Sequence, residues 1–155
     1  RQFFFDVYHY FTLKSLTESS DERIAGIAAK ALKEVTYHLR RSSEWVKRFG
    51  DGTEESHRRM QDAVDILWRF TGELITPDDT DRVMAEAGIG PDTDQLAKDW
   101  RGMVNEVLTQ ATLTPGAEDA WMYMGGKHGE HTEHLGFILA EMQFLQRAYP
   151  DATTW

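Results

Sequence analysis

The sequence predicts an all-α fold, a bundle built from long antiparallel helices. Apolar residues recur at helical spacing between short breaks, no segment alternates as a strand would, and the connections between periodic segments are short. A chain of 155 residues is long enough for one core, so we expect a single helical domain over residues 1–155. The breaks lie at Gly50–Gly52, Thr76–Pro77, Gly88–Pro91, Thr114–Gly116 and Gly125–Gly126.

The first two predicted helices have different surfaces. Gln2 to Leu16 is apolar on all sides, which predicts burial on several sides. Asp21 to Phe49 is amphipathic, and His38 lies on its apolar stripe. The basic face is typical of a solvated surface, and a partner surface is the alternative. The apolar face of this second helix carries Ile24, Ile27, Ala28, Ala31, Val35, Leu39, Trp45, Val46 and Phe49; the basic face carries Lys30, Lys33, Arg40, Arg41, Lys47 and Arg48.

The remaining helices follow from start and stop signals. Residues 53–74 form the third predicted helix, and the Thr-Pro-Asp-Asp sequence at 76–79 begins a short one that ends near Gly88. Residues 92–111 form another. Pro115 begins a brief helical turn, and the last helix covers residues 127–147.

Composition excludes several classes of function. The formal net charge is −9, which argues against a nucleic-acid partner or an anionic membrane surface. No stretch approaches the roughly 18 apolar residues of a spanning helix. The chain has no cysteine, which excludes disulfides and thiolate metal sites, and we expect a cytoplasmic protein. It begins without Met inside an apolar run, so we expect it to be part of a longer protein.

Histidines and carboxylates near the end of the chain raise the question of a metal site. His128, His131 and His134 are three residues apart, and on a helix His131 and His134 would face the apolar side with Glu130 and Glu141 beside His134. We favour a buried polar cluster of His131, His134, Glu130 and Glu141. A zinc or nickel site using the three histidines and a set of interface contacts are the alternatives.

A di-iron site would need a different register. Di-iron bundles use a Glu from each of two helices and Glu-x-x-His motifs from two more. This chain has no Glu-x-x-His, because both Glu34–His38 and Glu130–His134 are spaced by four residues.

Several stretches resemble a known family. The segment "GGKHGEHTEHLGFILAEMQFLQRAYP" resembles the end of the non-catalytic C subunits of phenylacetyl-CoA ring epoxidases. The segments "KEVTYHLRRSSEWVKRFGDGTEES" and "MQDAVDILWRFTGELI" resemble their middle, and "RQFFFDVYHYF" resembles the start of their third core helix. The resemblance covers essentially the whole chain and implies that roughly the first third of such a protein is missing, so that residues 1–155 form its C-terminal two-thirds.

The resemblance implies a ferritin-like structural subunit without catalytic residues or a cofactor of its own. In that family a catalytic subunit binds the di-iron centre and the thioester, and the non-catalytic relative scaffolds it. A reductase subunit with FAD and an iron–sulfur cluster supplies electrons. The complex inserts one oxygen atom into the aromatic ring during aerobic bacterial phenylacetate degradation.

The resemblance also places degenerate ligand positions in this chain. Asp6 matches a third-helix carboxylate ligand, and Glu34 and His38 match a Glu-x-x-His that is one residue out of register. The alternative function is a metal-binding, ferritin-like di-iron protein with its own oxygenase activity, which would need two Glu-x-x-His motifs.

The last helix is the predicted contact with the catalytic subunit. Its outer side is polar at Lys127, Glu133 and Gln143, and Trp155 ends the chain as a potential anchor in a neighbour. The alternative for Trp155 is a side chain folded back on its own bundle.

We predict that the isolated 155-residue chain self-associates as a dimer or a swapped bundle. The first two helices would face helices that are missing, so their apolar faces would be covered by a second copy. Multi-angle light scattering of the purified chain should give a mass above that of one chain, and a monodisperse monomer would contradict the prediction.

Overall fold

The computed structural model describes residues 1–154. Within that range all regular structure is helical and no strand is present, which confirms the all-α prediction. The chain divides into two compact units, the first covering Arg1–Tyr123 and the second beginning at Met124. The helices are α1 (Gln2–Leu16), α2 (Glu22–Gly50), α3 (Glu54–Trp68), α4 (Asp79–Glu86), α5 (Thr93–Gln110), α6 (Glu133–Met142) and α7 (Phe144–Ala148).

Helices α1 and α2 form a long antiparallel pair. Leu13, near the end of α1, packs in a cluster with Ala28 and Val35 of α2. Val7, nearer the start of α1, belongs to the main core together with Leu39 of α2. A short turn reverses the chain, and the Asp21 carboxylate accepts hydrogen bonds from the backbone N–H groups of Arg23 and Ile24 in the first turn of α2.

The core of the first unit is built around three aromatic rings. Phe4 of α1, Trp68 of α3 and Trp100 of α5 lie with ring centroids 5.9 to 6.1 Å apart. The Trp100 indole is 1% exposed and donates a hydrogen bond of 3.0 Å to the Phe4 carbonyl. The first helix is therefore packed on several sides, as predicted, although Phe5 stays 42% exposed.

The predicted ends of α1 match the structure, and those of α2 and α5 differ by one residue. Helix α3 instead ends at Trp68, six residues before the predicted Leu74, and a 3₁₀ turn follows at Gly72–Ile75. The Thr71 hydroxyl donates to the Trp68 carbonyl at 2.8 Å, which satisfies one of the carbonyls left at the helix end.

The predicted helical turn at Pro115 is wrong, because side chains of α3 hold this segment in an irregular conformation. The Gln61 amide donates to the Thr114 carbonyl at 3.0 Å and accepts from its N–H at 2.9 Å. The Trp68 indole donates to the Ala117 carbonyl at 3.2 Å. Gly116 lies so close to this indole that an added Cβ would be 2.1 Å from it.

The second unit departs furthest from the sequence prediction. Helix α6 begins at Glu133, six residues later than predicted, and α7 follows after a break at Gln143. Gly125 and Gly129 have φ values of +104° and +88°, and this left-handed backbone cannot continue a right-handed helix. A 3₁₀ turn at Gly126–His128 takes the place of the predicted first turn.

No helix among the described residues is long and apolar enough to span a lipid bilayer.

We predict that Trp100→Phe lowers the free energy of unfolding by about 1–3 kcal/mol, since it removes a buried donor and leaves a void beside Phe4. Urea unfolding followed by circular dichroism measures the change. Trp121→Phe is the matched control, because Trp121 is 67% exposed and should tolerate the change. Equal effects of the two substitutions would contradict the central role of Trp100.

Candidate functional site on the first two helices

A cavity of about 490 Å³ lies between the first half of α1 and the second half of α2. Its polar wall is formed by Arg1, Gln2, Asp6, His38, Arg41 and Ser42, and the apolar Met60 of α3 also lines the cavity. The apolar wall is formed by Phe3, Trp45, Val46 and Phe49. A buried carboxylate with cationic and aromatic neighbours makes this the leading candidate for a binding site in the first unit.

Asp6 is the buried charged group of this cavity. Its side chain is 2% exposed, and Oδ1 accepts a hydrogen bond of 2.7 Å from the Gln2 amide, one turn earlier on α1. The second oxygen, Oδ2, is buried and has no hydrogen-bond partner among the described residues. Such groups are rare in folded proteins, because burying an unpaired polar atom costs free energy.

The other two implied ligand positions lie differently. His38 lines the cavity with Asp6, but its side chain is exposed and its ring lies 6.3 Å from that of Tyr37. Glu34 is exposed and does not line the cavity. Asp6 and His38 therefore line one cavity, and Glu34 lies outside it.

These residues do not fit a di-iron centre. Such a centre needs carboxylates and histidines from several helices directed at one point. Within the part of the chain that the structure describes, no group of three or more His, Asp or Glu side chains is placed to hold a metal ion. One oxygen of Asp6 is already bonded to Gln2. We therefore assign no metal chemistry to this cavity.

An aromatic pair forms the outer rim of the cavity. Trp45 and Phe49 stack with their ring centroids 5.2 Å apart and remain 45% and 43% exposed. The Arg48 guanidinium lies 5.5 Å from the centroid of the Trp45 ring. The sequence placed both rings on the apolar face of α2, and the structure leaves them partly exposed while the neighbouring Val46 is buried.

The predicted buried cluster near the end of the chain is not buried here. His131, His134, Glu130 and Glu141 are all exposed. His131 precedes α6, because the left-handed backbone at Gly129 interrupts the predicted helix. The geometry on which the cluster depended is therefore absent from this structure.

The residues predicted to contact a partner lie at the surface. Lys127, Glu133 and Gln143 are exposed, and Trp155 lies outside the described residues. Sequence reasoning missed a larger feature in the same segment, since most apolar side chains of α6 and α7 are exposed. The most exposed are Phe137, Ile138, Met142, Phe144 and Leu145, at 53% to 70%, and Tyr149, directly after α7, is 61% exposed. The high proportion of apolar residues in this stretch of the sequence could have indicated the exposed surface, because a short helix that is apolar on most sides must pack against another element to be buried.

A protein-family model and a characterised bacterial protein both match this chain over nearly its whole length. A family model described as phenylacetic acid catabolic protein matches residues 1–155. The C subunit of the 1,2-phenylacetyl-CoA epoxidase of Escherichia coli (strain K12) is 47% identical over 150 residues. The match covers 97% of this chain and 60% of the relative, so the chain spans less than two thirds of the length of that relative.

We predict that the chain retains no stoichiometric iron. Because Asp6 and His38 supply too few converging ligands, ferrous iron loaded anaerobically should be lost on desalting. Elemental analysis measures the iron, with a ferritin-like di-iron protein treated identically as positive control. About two irons per chain would contradict this prediction and reassign the cavity as a metal centre.

Proposed function

The chain belongs to the phenylacetic acid catabolic protein family, and we propose that it is a structural subunit of a multicomponent phenylacetyl-CoA epoxidase. In this role it scaffolds the catalytic subunit, and the oxygen-insertion chemistry takes place on that partner. The proposed context is aerobic phenylacetate degradation in the bacterial cytoplasm.

The observation that carries this proposal is the 47% identity to the C subunit of the E. coli epoxidase over 97% of the chain. The donor set on α1 and α2 supports a non-catalytic role. Asp6, Glu34 and His38 occupy the implied ligand positions, yet only Asp6 and His38 reach one cavity. In this proposal the di-iron centre, FAD and iron–sulfur cluster belong to other subunits.

We further propose that the second unit contributes to the partner interface. Exposed apolar side chains such as Phe137 and Met142 lie on α6, with the polar residues Lys127, Glu133 and Gln143 in the same segment. Apolar anchors surrounded by polar residues are typical of protein–protein interfaces. Trp155 is proposed as a further anchor from its sequence position.

The test is co-expression with the tagged catalytic subunit of the same enzyme, followed by affinity purification and an assay of phenylacetyl-CoA oxidation with the reductase present. We expect the chain to co-purify with the catalytic subunit and to be inactive alone. Failure to co-purify, or turnover by the chain without the catalytic subunit, would contradict the proposed function.

We predict that the double variant Phe137→Ser/Met142→Ser weakens binding to the catalytic subunit by about tenfold or more, because it removes two apolar anchors. Val83→Ser on α4 is the matched control, since Val83 is also an exposed apolar side chain (58%) but lies in the first unit. Surface plasmon resonance measures the affinities. Unchanged affinity of the double variant would place the interface elsewhere while leaving the scaffold role intact.

A further inference from the structure

A smaller cavity lies along the second half of α2 and is formed by that helix alone. Its volume is about 320 Å³, within the range of small-molecule binding sites. Three guanidinium groups, two aromatic rings and one carboxylate surround it. The lining residues are Tyr37, Arg40, Arg41, Glu44, Trp45 and Arg48.

This cavity is distinct from the one between α1 and α2. Arg41 and Trp45 line both, whereas the other four side chains line only the smaller cavity. Arg40, Glu44 and Arg48 follow one another at one-turn spacing and are all exposed. The smaller cavity therefore opens on the solvent-facing side of α2.

The arginines of this cavity are unpaired within residues 1–154. Arg40, Arg41 and Arg48 form no ion pair there, although Glu44 lies one turn from each of them. By contrast, the arginines of α3 and α4 pair with carboxylates on their own helices. Unpaired guanidinium groups suit an anion such as phosphate, whose oxygens accept two parallel N–H donors.

The charge of α2 is opposite to that of the whole chain. The helix carries seven Lys and Arg against three Glu, whereas the formal net charge of the chain is −9. Because charges on the surface are screened beyond roughly 8 Å at physiological salt, an anion close to this helix experiences mainly the local positive charge. The cavity can therefore attract an anion on a chain that is acidic overall.

Glu44 and the two rings narrow the class of anion. A carboxylate among the arginines would repel a ligand that is negative on every side, so the ligand must also present a neutral donor. Tyr37 and Trp45 are 61% and 45% exposed, which leaves their rings available to stack on a planar group. An adenine nucleotide supplies phosphate groups, a planar base and ribose hydroxyl donors, and protein carboxylates accept hydrogen bonds from such hydroxyls in dinucleotide sites.

We propose that this cavity binds a phosphorylated adenine nucleotide. The three arginines contact its phosphate groups, the base stacks on the exposed rings, and Glu44 accepts a hydrogen bond from the ribose or the base. One source of this group is a CoA thioester, since CoA carries an adenine, a diphosphate and a ribose phosphate. A free nucleotide such as ADP is the other. The CoA source rests on the proposed function, whereas nucleotide binding itself does not.

The test is isothermal titration calorimetry of the 155-residue chain with CoA, ADP and inorganic pyrophosphate, each at physiological ionic strength. We expect ADP and CoA to bind, and pyrophosphate to bind about tenfold more weakly or less, because it lacks the base and the ribose. CoA binding about tenfold tighter than ADP would identify the thioester as the ligand. Equal affinities would identify a free nucleotide.

The double variant Arg40→Gln/Arg48→Gln should weaken nucleotide binding by about tenfold or more, because it removes two phosphate contacts. Lys30→Gln/Lys33→Gln is the matched control, since it removes two exposed positive charges from the same helix but outside the cavity. It should change the affinity by less than about twofold. Circular dichroism and urea unfolding establish that both variants fold.

Three results would overturn the proposal: no binding of either nucleotide, pyrophosphate binding as tight as that of ADP, or equal losses in the two double variants. The last result would mean that the helix attracts anions only through its total charge. The experiment needs no partner subunit, so its failure is distinct from failure of the proposed function, which is measured by co-purification with the catalytic subunit.

Discussion

The hydrogen bond from the buried Trp100 indole to the Phe4 carbonyl is the contact on which the first unit depends. It joins residues 96 positions apart in the sequence and connects α5 to the first turn of α1. Trp68 packs against both rings, and its own indole N–H holds the segment after α5 at Ala117. Two indoles thus combine apolar packing with directional bonds, and these bonds select one arrangement of α1, α3 and α5 from the many that would bury the same apolar area.

The helices that could be predicted from the sequence are those whose ends have local causes. Asp21 and Asp92 cap α2 and α5 through bonds to residues two and three positions later, so the signal and the structure lie in the same short window. The segment around Pro115 could not be predicted in this way, because its conformation depends on Gln61 and Trp68, about 50 residues earlier. The start of α6 was missed for a local reason, since Gly129 was read as an ordinary helical residue and not as a left-handed break.

The candidate site was predictable to a similar degree. Asp6 was identified by residue type and by resemblance, and the structure adds that one of its oxygens is buried without a donor. That fact depends on packing from α2 and on solvent exclusion, neither of which a linear pattern records. The partial exposure of Trp45 and Phe49 could be expected only from the resemblance, which implies missing helices opposite this face, because an amphipathic pattern shows which face of a helix is apolar but not what covers it. Burial of an apolar face is a property of the assembled molecule.

The exposed apolar side chains of α6 and α7 have a consequence for the life of the protein in the cell. A copy that has not docked presents Phe137, Met142 and Phe144 to solvent, and surfaces of this kind are bound by chaperones and recognised by proteases. Under the proposed scaffold role, docking would hide this surface and extend the lifetime of the chain. Unassembled copies would then be removed preferentially, so that turnover, rather than synthesis alone, would match the amount of this protein to that of its partner.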